Sequence, residues 1–510
     1  MGSVRGLVFW PPVVFLLSAL AWSIADFDGF HAGVNDANRW ILQNFDMAFS
    51  WASFGAVVLL AYVFFSPLGS VRIGGPDAKP ILSRWNWFAI TLCATIAIGI
   101  LFWAAAEPMF HIKGPPSFSG AEPFSDQASV FALSSMFMHW TITPYALYST
   151  PALAFALAYF NLGKSYSLSG PLSVVFGNAV SGRTGALIDA IGLYALVAGV
   201  AASLGAGVLT IAGGLGVSFG LEPTALLKFF IIVTIVLAFV VSSISGIQRG
   251  IKFLSDINIK VFIGLCAFVV VAGPFGDSIV LGGKAIVHYV TTFVPASLSL
   301  GERASDPWMR DWTVFYFANW LAWAPVTALF LGRISIGYTV REFLTVNLAA
   351  PAAFSGMWMI IFGGAAIALN AAEGGALVSA LEKSGPETVV YTLFEALPFA
   401  GFVIAVFGVI TFVSFVTAMD SNTHSIASLC MKNSSPSDES NPSNMSVKIF
   451  WGALVGAVAF VMTATTGIDG VRMLSNLGGL PGLFILIGAG ASLIIMRLQL
   501  MATLANPKFT

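Results

Sequence analysis

Residues Asp311 to Pro325, DWTVFYFANWLAWAP, crowd large aromatic rings, one amide and a proline into an otherwise apolar run. Indole and phenol rings present a negative face to a cation. Several of them together can enclose a quaternary ammonium or sulfonium group, which has no N–H to donate, at about 2 kcal/mol per desolvated contact. Phe317, Trp320 and Trp323 follow one another at i, i+3 and i+6, which predicts a single stripe on a helix. A counterpart lies in MHWTITPYALYSTPA, where Trp140 and Tyr148 share a helical face flanked by Tyr145. Asn319 supplies amide donors and an acceptor. These suit a carboxylate, sulfonate or hydroxyl, and equally suit a bridge between two helices. Aromatic rings commonly form belts at membrane headgroups, so depth matters. Counted from Trp312, Trp320 lies about 12 Å and Trp323 about 16 Å into a core of about 30 Å, too deep for a belt. A cation cage and plain packing of large rings both remain open.

Acid–base chemistry has fewer candidates. Asp420 and His424 stand four apart on one face near the end of an apolar run, where a carboxylate and an imidazole can pass a proton or close a helix end as a gate. Glu107 and Asp311, near other helix ends, are read as loop contacts. Zinc-type His/Glu spacing, a Ser–His pair and paired aspartates are not found in the apolar runs, which argues against a membrane-embedded enzyme. Cys93, Cys266 and Cys430 show no metal or disulfide spacing and read as small apolar residues.

The elements that must carry these residues are membrane helices. Of the 510 residues, 57% are hydrophobic and 9% charged, with a mean hydropathy of +0.87, far from the roughly 25% charge of soluble chains. Twelve runs reach the roughly 20 residues that a helix needs to cross a bilayer. They are 8–26, 45–67, 86–110, 128–160, 186–215, 225–246, 258–276, 312–333, 344–370, 399–428, 446–468 and 475–497. With the N-terminus inside, most of the 23 Lys and Arg, among them Arg72, Arg84, Arg249, Lys252, Arg333 and Arg341, fall on the cytoplasmic side. That predicts two cytoplasmic termini. No dense basic patch suggests a nucleic-acid partner.

The organisation reads as one membrane domain. Two peripheral N-terminal helices (1–85) precede a five-helix block (86–276), an outer loop (277–311), a second five-helix block (312–498) and a short tail (499–510). Within the outer loop, KAIVHYVTTFVPASL reads as a helix lying at the interface. KNSSPSDESNPSNMS, 432–446, reads as a flexible cytoplasmic loop. The third run holds Gly99 and Pro108, and the eighth holds Pro325. Weakened helices opening each of two blocks are the mark of inverted-repeat transporters that bind cargo near the bilayer midplane.

Four stretches, ILFWAAAEPMFHI, MHWTITPYALYSTPALAFALAYF, DWTVFYFANWLAWAPVTALFLGRISIGYTVREF and FVTAMDSNTHS, together resemble the betaine/carnitine/choline transporter family in order and spacing. The resemblance implies an all-α protein of twelve membrane helices with a LeuT-like five-plus-five repeat in helices 3–12. It also implies frequent trimers and transport of zwitterions bearing a methylated onium group. It carries the family's aromatic site positions onto Trp140, Tyr145, Tyr148, Trp320 and Trp323. Where the family pattern reads Trp-Ala-Trp-Trp, this chain has Phe317, Ala318, Asn319 and Trp320. The Gly-Met-Gly-Ile-Gly of sodium-coupled members reads Thr95 to Gly99 here and their Thr-Ser pair reads Thr417 and Ala418, so the ion-coupling candidates are Cys93 and Ile96 of the third helix and Thr417 of the tenth, with Ser414 one turn before it as a replacement oxygen. Here Ala418 replaces a hydroxyl of sodium-coupled members, and hard cations want oxygen ligands.

The expectation is a secondary transporter of a bacterial inner membrane, not an enzyme and without a cofactor, importing glycine betaine, choline, carnitine or dimethylsulfoniopropionate with Na+ or H+. Substrate contacts are expected from Trp140, Tyr145, Tyr148, Phe317, Asn319, Trp320 and Trp323. A non-onium zwitterion such as ectoine or taurine, and substrate exchange, are the alternatives. Short tails predict little osmotic activation.

Overall fold

In hydrocarbon no water satisfies a free N–H or C=O, so the chain closes its backbone hydrogen bonds within helices. The structure, a computed structural model, describes residues 4–95, 97–245, 247–432 and 442–505. α1 (Gly6–Ala25) and the long α2 (Phe27–Phe65) come first. α3 (Arg84–Thr95) and α4 (Ala97–Lys113) form the third segment, and α5 (Asp126–Trp140) and α6 (Ile142–Ala156) the fourth. A short α7 (Ser169–Phe176) precedes α8 (Gly182–Phe219), α9 (Ala225–Ser245), α10 (Ile247–Ala272) and α11 (Phe275–Ser297). The eighth segment enters through a π-helical turn, Met309–Val314, into α12 (Phe315–Ile334). α13 (Val340–Leu344), α14 (Ala350–Trp358) and α15 (Gly364–Ala372) run on through two more π-helical turns. α16 (Ala376–Ser384) and α17 (Pro386–Glu395) are short, and α18 (Ala400–Cys430), α19 (Pro442–Thr466) and α20 (Ile468–Ala505) complete the chain. Among the described residues, extended pairing is confined to the isolated bridges Val4–Met431 and Arg72–Thr339.

Among the described residues ten helices are long and apolar enough to cross a membrane, or twelve if each of two bent pairs is one span. The bent pairs are the third and eighth segments, which carry the weakening residues. α3 meets α4 at 55°, and Met309–Pro325 meets Thr327–Ile334 at 56°. Pro325 cannot donate its share of the helical ladder. Next to it the Thr327 hydroxyl donates to the carbonyl of Trp323 at 3.0 Å. Near-equal bends opening the two blocks fit a repeated unit.

Two expected elements differ. The run 128–160 is not one helix, because α5 and α6 part at Thr141, which lies at φ −114° and ψ −116°. Pro144 has no N–H for the carbonyl of Trp140, so the ladder is weakest there. The stretch 284–298 belongs to a longer helix, the 23-residue α11, which has the length and apolarity of a span although little of it is buried. The loop 432–446 lies largely outside the described residues.

α12 packs most closely against α20, α6 and α8. Glycines of α20 make this possible. A Cβ on Gly479 would stand 2.4 Å from the carbonyl oxygen of Ala318, and one on Gly482 would stand 2.0 Å from that of Leu321. Those contacts are backbone, which cannot turn aside, so small residues set the helix separation. Gly479→Val should therefore cost about 1–3 kcal/mol by overpacking. Thermal unfolding in detergent should show a midpoint lower by several degrees together with weakened uptake. An unchanged midpoint and unchanged uptake would show that α20 does not depend on this approach.

Candidate functional site

A cavity of about 50 Å³ lies between the α3–α4 bend, α6, α8, α12 and α18. Trp103, Trp140, Tyr148, Phe315, Asn319, Trp320 and Trp323 line it, with Gly99, Ala202, Ser203, Ala206 and Ala418 between them. At roughly 10–15 Å³ per water by this measure, it admits only compact cargo. Trp320 stands at the centre of the rings, 5.4 Å from Trp140 at 77° and 5.2 Å from Tyr148 at 67°. Such edge-to-face contacts are the favoured geometry for aromatic quadrupoles.

The lining face of α12 runs through Phe315, Asn319 and Trp323 at i, i+4 and i+8, with Trp320 beside it. A step of four residues nearly closes a helical turn, whereas steps of three drift steadily around the axis. Phe317 accordingly falls on another face, fully buried and off the cavity, and Phe315 takes the place expected of it. Tyr145 keeps a ring contact with Trp320 at 6.0 Å, but its hydroxyl pairs with Ser355 of α14 at 3.0 Å. It backs the site and does not line it. Asn319 accepts a 2.7 Å hydrogen bond at Oδ1 from Ser475 of α20. Its carbonyl is thereby engaged, leaving the amide N–H groups as its free polar edge at the cavity. Gly99 allows the Trp140 ring to lie on the backbone, since a Cβ there would stand 2.6 Å from the indole.

Behind the rings is a hub that the sequence reading placed among loop contacts. Glu107 is fully buried and accepts four hydrogen bonds. Oε1 takes His139 Nδ1 at 2.6 Å and His111 Nε2 at 3.3 Å. Oε2 takes the Trp140 indole N–H at 2.7 Å and the Tyr316 hydroxyl at 2.5 Å. His139 Nε2 pairs with the Thr313 hydroxyl at 3.0 Å, and the backbone carbonyl of His139 accepts the Trp320 indole N–H at 2.9 Å. Glu107, His111 and His139 bring ligand-type atoms within 4.8 Å of one another. With each carboxylate oxygen already taking two donors, the trio is a closed hydrogen-bonded hub and not a poised metal centre. The Glu-x-x-x-His spacing in EPMFH was the available sequence signal.

The ion-coupling candidates are spread along α3 and α18. Cys93 lines the cavity and donates from its thiol to the carbonyl of Ser255 at 3.5 Å, and the buried Asn258 lies beside it. Ser414 presents a buried hydroxyl with no hydrogen-bond partner among the described residues, and Thr417 donates to the carbonyl of Val413 at 2.9 Å. Ile96 lies outside the described residues. Asp420 and His424 take partners from different helices: Asp420 accepts from Ser242 of α9 at 3.0 Å, and His424 Nε2 accepts from Arg333 at the end of α12.

On the other side of the rings a second cavity of about 480 Å³ is lined by His31, Asn35 and Asn38 of α2 with Arg310, Asp311, Asp469 and Arg472. Phe315 borders both cavities. The Arg472 guanidinium stacks 4.8 Å from Phe315 and 4.7 Å from Trp312, and donates to the carbonyl of Asp311 at 2.6 Å. Phe315 and Arg472 therefore form a partition between the two spaces.

An aromatic cavity reached past bent helices is transporter architecture, and comparison with known proteins agrees. The BCCT, betaine/carnitine/choline family transporter, profile matches residues 7–501. The chain is 32% identical over 492 residues to "Glycine betaine transporter OpuD" of Bacillus subtilis (strain 168), covering 95% of this chain and 93% of that protein. It is 32% identical over 469 residues to "Glycine betaine transporter 1" of Vibrio parahaemolyticus, covering 90% and 87%. A Na+-coupled sialic acid symporter, solved in a substrate-bound outward-open state, matches with TM-score 0.50 and 14% identity, over 88% of this chain and 85% of that one. That likeness concerns the fold alone, and it is the LeuT-like arrangement. The chain therefore belongs to the betaine/carnitine/choline transporter family and is a secondary transporter, not an enzyme.

Proposed function

We propose that this protein imports a small zwitterion with a methylated onium head, of the glycine betaine or choline kind, across a bacterial inner membrane with both termini inside. The carrying observation is the set of indole and phenol rings from two facing segments, Trp140 and Tyr148 on one and Trp320 and Trp323 on the other, around one compact cavity. An onium group there meets ring faces and needs no hydrogen-bond acceptor. Asn319, with its carbonyl taken by Ser475, offers donors to the anionic or hydroxyl end of the cargo. The names of the relatives support this cargo class.

Alternating access follows from the two barriers. Phe315 and Arg472 separate the cage from the outer cavity, and the Arg333–His424 hydrogen bond ties α12 to α18 at the other end. The bends in α3–α4 and α12 give each segment a half that can move without unmaking the other. Sodium would draw on Ser414 and Thr417, with the loss of a hydroxyl at Ala418 weakening its site. Assembly as a homotrimer is part of the same reading.

Uptake by proteoliposomes decides the cargo. Labelled betaine, choline and dimethylsulfoniopropionate should accumulate unchanged and compete with one another, with sodium and proton gradients imposed separately to find the driver. Uptake of ectoine or taurine without competition by any onium compound would overturn the onium reading.

Trp320→Leu removes the central ring, and at about 2 kcal/mol per cation contact KM for the preferred onium cargo should rise roughly 30-fold. A KM within twofold of wild type would take Trp320 out of the site. Ser475→Ala frees the Asn319 amide to turn, so it should lower affinity for carboxylate-bearing cargo more than for choline. Equal effects on both would separate Asn319 from cargo recognition.

A further inference from the structure

The cage explains why an onium head fits, but rings alone also hold an uncharged tert-butyl group well. We propose that Glu107 is the specificity-determining charge of the site: its carboxylate, one hydrogen bond behind Trp140, makes the cage prefer a cation over a neutral group of the same shape. The inference rests on the onium reading above and names the residue that enforces it.

The geometry carries it in three steps. An ionised carboxylate only accepts hydrogen bonds, and all four groups around Glu107 meet it with donors, from α4 (His111), α5 (His139 and Trp140) and α12 (Tyr316). A charge-assisted bond of 2.7 Å to the Trp140 indole N–H pushes electron density into a ring that lines the cavity. That deepens the negative potential an onium group meets. The same carboxylate holds His139, whose carbonyl fixes the Trp320 indole at 2.9 Å, so one charge stands behind both central rings. In a water-poor interior a full charge at this range acts strongly on the cavity.

Other titratable groups face the hub from the helices packed around it. His111 and His139 each bring one ring nitrogen to Oε1, and Tyr316 brings its hydroxyl to Oε2. Arg472 of α20, whose charge also reaches Glu107, is engaged with the Trp312 and Phe315 rings and the Asp311 carbonyl on the outer side. A glutamine would still accept from Trp140, so orientation and charge are separable by substitution.

The test measures inhibition of uptake by glycine betaine and choline against their tert-butyl isosteres, in which carbon replaces the onium nitrogen, in full-length protein in proteoliposomes. Wild type should prefer each onium compound over its isostere. In Glu107→Gln that preference should fall at least tenfold while affinity for the isosteres falls much less. A Gln variant that weakens onium compound and isostere equally would make Glu107 merely structural and overturn the proposal. If Glu107→Gln does not fold, Glu107→Asp decides. It keeps the charge and should keep the preference even where affinities drop, and a lost preference would overturn the proposal. A wild-type protein without preference would instead overturn the onium reading itself.

Discussion

Inside a bilayer a polar group without a protein partner has no water to replace it, and the arrangement of the site follows from that constraint. The Trp140 and Trp320 indoles must each place an N–H while bordering the cavity. Trp140 does so on Glu107, and Trp320 on the carbonyl of His139 in the last turn of α5, next to the break at Thr141. A helix interruption that looks like a defect is thus beside the backbone acceptor that fixes the central ring. The indole N–H groups are tied while both rings border the cavity.

Packing supplies the second half of the arrangement. Rings as large as indole enclose a cavity only if the backbones around them come close, and the glycines of α20 and Gly99 permit that approach. Side chains on α8 and α18 that border the cavity are small, Ala202, Ala206 and Ala418 among them, which leaves room opposite the indoles. The helices that bend are the ones that carry or border the rings. Motion of either half-helix therefore changes access to the cavity while the backbone hydrogen bonds within each half persist.

The same constraint explains the guards at either end. Arg472 stacks on two aromatic faces and donates to one carbonyl, and Arg333 donates to the imidazole of His424. Arg472 also lies within reach of the carboxylates of Asp311 and Asp469.

The membrane class, most of the helical segments and the weak points at Gly99 and Pro325 were legible in the sequence, because apolar run length and helix-breaking residues act locally. So were the residue types of the cage, since deep indoles and phenols are unusual wherever the helix happens to face. Which of them face one cavity was not. Trp320, Trp323, Trp140, Tyr148 and Asn319 meet there, but Phe317 yields to Phe315, and Tyr145 turns to Ser355. Periodicity gives relative angles along a helix, and only the neighbouring helices decide which angle is inward. Glu107 shows this most clearly. A lone carboxylate near a helix end reads as a loop contact until α5 and α12 bring three of its four donors from distant parts of the chain, because those partners exist only in the folded state.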